Sequence, residues 1–63
     1  MIEVTGIDGG IEKHDVDGHY TVDDKGVLWI YSALDDRGRS RVVAVHASGT
    51  WSMATQIIEK VTV

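Results

Sequence analysis

Sixty-three residues with a net charge of −4 and neither cysteine nor proline leave room for one domain, and they exclude disulfide staples, thiol chemistry and cysteine-built zinc ribbons. A chain this short buries only about 60% of the surface that its unfolded form exposes, so a metal ion or a partner chain is the remaining way to widen a thin margin of stability. No stretch approaches the length of a membrane span, and Met1-Ile2-Glu3-Val4-Thr5 lacks the basic start of an export signal; the sequence therefore predicts a complete, cytoplasmic, single β domain over residues 1–63.

In chain order, residues 2–5 and 11–16 alternate in the manner of strands around Asp8-Gly9-Gly10, and Asp17-Gly18 is placed to turn a further hairpin into Tyr20. Asp23-Asp24-Lys25-Gly26 and Asp35-Asp36-Arg37-Gly38 then repeat one device. In each, an aspartate can bond the turn backbone and a glycine supplies a left-handed residue, the chemistry of a type I turn closed by a glycine bulge. Residues 19–23, 27–34 and 40–47, rich in Val, Ile, Tyr, Trp and Thr, flank these turns and predict a three-stranded meander.

The C-terminal stretch reads two ways. Trp51, Ala54, Ile57, Ile58 and Val61 share a helical face with Thr50 as N-cap, whereas the β-branched run favours a strand over about residues 56–62, which is the preferred reading. The predicted fold is thus all-β, an antiparallel meander of five or six short strands curled into a barrel or half-sandwich. An α+β fold with a helix from about 50 to 60 is the alternative.

Residues 27–34 set Val27, Trp29, Tyr31 and Ala33 on one face and Leu28, Ile30, Ser32 and Leu34 on the other, so neither face is made for water. Residues 42–47 repeat the pattern, Val43, Val45 and Ala47 against Val42, Ala44 and His46. Covering both faces asks for a terminal segment or another molecule, and Trp29, Tyr31 and Trp51 are the aromatic side chains suited to anchor one.

Charge is uneven. Residues 1–36 hold nine of the ten acids with only Lys13 and Lys25, whereas Arg37, Arg39, Arg41 and Lys60 face Glu59 alone in the remainder, so the two halves should attract each other. Arg37, Arg39 and Arg41 alternate along a strand start and could grip an acidic partner, with Asp35 and Asp36 as their counter-ions in a solvated arm; the overall negative charge does not favour nucleic acid. The acids at 3, 8, 12, 15, 17, 23 and 24 allow a competing reading, an acidic imitation of a nucleic-acid backbone that blocks a protein binding one.

His14, Asp15, Asp17 and His19 are donors suited to zinc or manganese, so a metal or ligand site centred on His14, Asp17 and His19 is a second alternative, set against a plain solvated turn. Asp15, Asp17, Gly18 and Asp24 echo a calcium loop whose first ligand position holds Lys13 instead. His46 with Ser48-Gly49-Thr50 lacks any nucleophile elbow, P-loop or dinucleotide fingerprint around it. The sequence therefore predicts no catalysis, no bound metal and no cofactor, but a protein-interaction module, a homo-oligomer or a small adaptor or inhibitor. Its docking elements would be Trp29, Tyr31, Trp51 and the three arginines, or a free sheet edge.

Overall fold

The structure, a computed structural model, describes residues 1–57, and their regular elements are six antiparallel strands with no helix. The strands are β1 (Ile2–Gly6), β2 (Ile11–His14), β3 (His19–Val22), β4 (Leu28–Tyr31), β5 (Val42–His46) and β6 (Trp51–Gln56). They form two three-stranded sheets, one ordered β2-β1-β6 and the other β3-β4-β5.

The paired aspartate turns form as their chemistry dictates. At β3–β4, Gly26 N–H donates to Asp23 O (3.1 Å) and Asp23 N–H to Val27 O (3.0 Å), while Asp23 Oδ1 accepts from the N–H groups of Lys25 and Val27. At β4–β5 the bonds run Gly38 N–H to Asp35 O and Asp35 N–H to Arg39 O, with Asp35 Oδ1 accepting from Arg37 and Arg39. Gly26 and Gly38 take φ of 82° and 74°, the left-handed values the bulge requires.

Asp17-Gly18 departs from expectation. It turns no hairpin, because β2 pairs with β1 whereas β3 pairs with β4, and the segment carries the chain from one sheet to the other. Gly18 is buried there, its Cα against the backbone of Tyr31 and Ser32.

The helix from about 50 to 60 does not form over its described part. Residues 51–56 are strand β6, which pairs with β1 (Ile2↔Gln56, Val4↔Ala54), and Met1 and Ile57 exchange backbone bonds beyond it. The strand thus starts five residues earlier than expected and ends at Gln56, with Ile57 already beyond it, and residues 58–62 of that expectation lie outside the described residues. A bulge between Thr5 and Gly6 shifts the register so that Trp51 pairs with Gly6. It lets Trp51 and Ala54, three apart, both reach the core, the spacing that imitates a helical face.

Each sheet contributes two side chains to a shared core: Ile2 and Val4 from β1, Leu28 and Ile30 from β4. Val16, Tyr20, Ala44, Trp51 and Ala54 pack around them. The central strands therefore lie face to face and the outer strands meet along two seams. One seam joins β3 to β6, where Tyr20 Oη donates to Ala54 O (3.3 Å) and Gln56 Nε2 to Gly18 O (2.7 Å). The other joins β2 to β5.

Candidate functional site

Registers decide which side chains enter the β2–β5 seam. Glu12 and His14 stand opposite Val4 and Ile2, so both point to the inner face of the first sheet. His46 stands opposite Leu28 and points to the inner face of the second. The three meet: His14 Nε2 lies 3.0 Å from His46 Nε2, and Glu12 Oε2 lies 3.5 Å from His46 Nε2 and 3.9 Å from His14 Nε2. The imidazoles are edge to face with centroids 5.3 Å apart. Their side chains are 16% and 17% exposed, and that of Glu12 is 63% exposed. A groove of about 300 Å³ opens beside them, its walls including Val4, Asp8, Glu12, His46, Thr50 and Trp51.

Sequence reasoning singled out His14 but paired it with Asp17 and His19, and the fold separates these. His19 lies on the outer face of the second sheet, stacked on Tyr31 with centroids 4.8 Å apart, while Asp17 sits exposed in the sheet-to-sheet connection. Glu12 and His46 were missed as partners. Their signal was present: Glu12-Lys13-His14 alternates on a strand, and His46 is the polar end of the otherwise apolar Ala44 face.

The outer faces of the two sheets differ. The first carries Glu3, Thr5, Ile11, Lys13, Met53 and Thr55, a mixed polar layer. The second carries His19, Thr21, Trp29, Tyr31, Val42 and Val45. There the register slips between Ile30 and Tyr31, which leaves Val43 as an extra residue on β5. Val42, Val43 and Val45 are each between 46% and 49% exposed, and Trp29 and Tyr31 are half-buried.

Trp29 Nε1–H donates to Asp23 Oδ2 (3.1 Å). Together with the Val27 N–H, whose bond is the larger influence, this holds the Asp23 carboxyl below its usual range. Trp51 does not join the Trp29–Tyr31 face; it packs inward and donates Nε1–H to Gly26 O (3.2 Å).

The arginines lie in or beside the β4–β5 hairpin, all exposed. Among the described residues the contacts within 4 Å between basic and acidic groups are those of Glu12 with the two histidines, so neither Asp35 nor Asp36 lies that close to an arginine, and Asp35 bonds its own turn instead. The attraction expected between the two halves of the chain brings no described Arg or Lys of the second half within 4 Å of a described acid of the first; the contact of that kind between the halves is Glu12 with His46. Of the acids, Asp8, Asp23 and Asp35 each bond their own turn, Glu3 lies on an outer face and Glu12 in the seam. No described helix is long and apolar enough to cross a membrane. Comparison of the chain with family models, with curated proteins and with solved structures finds no match.

Proposed function

We propose that this chain is a non-enzymatic protein-interaction module of the cytoplasm that associates with a second copy of itself through β5 and the apolar outer face beside it. Among the described residues four strands are sheet edges, and three of them are guarded: β2 by Glu12 and Lys13, β6 by Ser52, Thr55 and Gln56, β3 by His19 and Thr21. β5 reads Val-Val-Ala-Val-His, with three half-exposed valines, and that unguarded edge is the observation that carries the reading.

Antiparallel pairing of β5 with its copy about Ala44 would join the two outer faces into one six-stranded sheet, with main-chain bonds for affinity and Trp29, Tyr31 and Val45 for burial. It would set Arg41 opposite the partner's Ala47. The two Arg41 side chains would then be about 20 Å apart along the strands, beyond the screening length at physiological salt. Arg37 and Arg39 would form a charged rim in the adjoining hairpin.

Light scattering after size exclusion over a range of concentrations tests this. The wild-type chain should run as a dimer at tens of micromolar, and Val45→Lys should dissociate it with unchanged circular dichroism, weakening association at least tenfold. A wild-type chain that stays monomeric at hundreds of micromolar, or a Val45→Lys dimer as tight as wild type, would refute it.

A further inference from the structure

The geometry points to a divalent transition-metal site at Glu12, His14 and His46, with Zn²⁺ as the ion it suits best. A tetrahedral ion with bonds of about 2.0–2.1 Å holds its ligand atoms about 3.3–3.4 Å apart. The three donor atoms here are separated by 3.0, 3.5 and 3.9 Å, values that bracket this spacing, so shifts of a few tenths of an ångström complete the triangle. Two imidazoles and a carboxylate form a borderline donor set that selects zinc and its neighbours over calcium or magnesium, which prefer oxygen.

The strands bring the three side chains together. Glu12 and His14 project two residues apart from one strand, and His46 comes from the facing sheet, so the ion would bridge β2 to β5 across their seam. The seam on the far side of the sandwich is already tied by Tyr20 and Gln56. Solvent and the neighbouring groove reach the Glu12 side, leaving the fourth position to water.

The direct contact between the two Nε2 atoms implies that, with neutral rings, one donates its proton to the other's lone pair. Binding needs both lone pairs, so the donor ring must shift its proton from Nε2 to Nδ1, a tautomer change with no net proton release. Among the described residues neither Nδ1 bonds to a protein acceptor. The absence of such an orienting partner is expected to weaken affinity by about 10–100-fold relative to a site that has one.

The test uses the untagged full chain, with Zn²⁺ followed by calorimetry and by thermal melting, and light scattering run alongside. The expected result is one ion per chain with no change in mass, and a melting temperature raised by about 10 °C or more at hundredfold excess over Kd. Glu12→Gln, exposed enough to leave the fold intact, and His46→Gln should each abolish the shift, while the double variant Asp17→Asn, His19→Gln should keep it. Mg²⁺ and Ca²⁺ should produce none. The inference is overturned by an absent zinc response, by one that survives Glu12→Gln and His46→Gln, by one lost in the Asp17 and His19 variant, by an equal response to Ca²⁺, or by zinc-induced association of chains.

Discussion

Replacing Gly18 by alanine confronts the sheet-to-sheet crossing directly. A Cβ there would lie 1.7 Å from the carbonyl oxygen of Tyr31 and 2.7 Å from the carbonyl carbons of Tyr31 and Ser32. Ordinary contact needs at least 3.4 Å, and the obstruction is backbone, so the crossing segment and the end of β4 must separate by about 1.7 Å. Overpacking of this kind costs about 1–3 kcal/mol or more, and the Gln56 bond to Gly18 O, worth about 1 kcal/mol, is strained with it.

A loss of about 3–4 kcal/mol is most of what so small a core supplies, and at about 4–8 °C per kcal/mol the melting temperature should fall by at least 12 °C. Gly38→Ala is the comparison, since nothing lies within 4 Å of its Cβ and the cost there is left-handed backbone alone, about 1–2 kcal/mol. Thermal melts by circular dichroism rank the two. If Gly18→Ala melts within about 3 °C of wild type, or above Gly38→Ala, the close crossing is wrong.

Two further perturbations test the core and the turns. Ile30→Ala should cost about 2–5 kcal/mol in urea unfolding, because its side chain is fully buried, whereas Leu34→Ala, 69% exposed, should stay within about 0.5 kcal/mol of wild type. Asp23 has a pKa in the folded chain below the usual 3.8, so its contribution to stability is fully present above that value and is lost as pH falls through the lowered one. The Trp29 indole N–H resonance should therefore titrate below the ordinary carboxylate range, and Asp23→Asn should flatten the acid limb of stability; an indole resonance that moves at or above 3.8 would contradict the assignment.

Turns were legible because their chemistry is local: aspartate and glycine at fixed offsets specify the β3–β4 and β4–β5 hairpins whatever surrounds them. The strands between them were legible too, although residues 27–34 overran, since Ala33 and Leu34 leave the sheet and stand exposed. The two-sided apolar character of β4 likewise survives in the fold, with Leu28 and Ile30 sealed while Trp29 and Tyr31 remain half-covered. Two features required the third dimension. The Thr5–Gly6 bulge is a relation between strands 45 or more residues apart, and the three-residue spacing it gives Trp51 and Ala54 reads in the sequence as a helical face. The His14–His46 contact spans 32 residues and depends on which sheet each strand joins, which the misread Asp17-Gly18 crossing controls.

That crossing explains why the polar contacts matter so much. A pair of three-stranded sheets has no closed barrel wall, so with four fully buried hydrophobic side chains among the described residues its faces are kept together along their margins. On one margin neutral hydrogen bonds from Tyr20 and Gln56 to backbone carbonyls do this, and Trp51 adds a third from β6 to the β3–β4 turn. The other margin relies on two imidazoles and a carboxylate, with His14 Nε2 3.0 Å and Glu12 Oε2 3.5 Å from His46 Nε2. β5 is held there by His46 on its inner side and leaves its valines uncovered on the outer, because successive residues of a strand point to opposite faces. The strand whose outer valines are left uncovered is therefore also the one that His46 ties to the facing sheet.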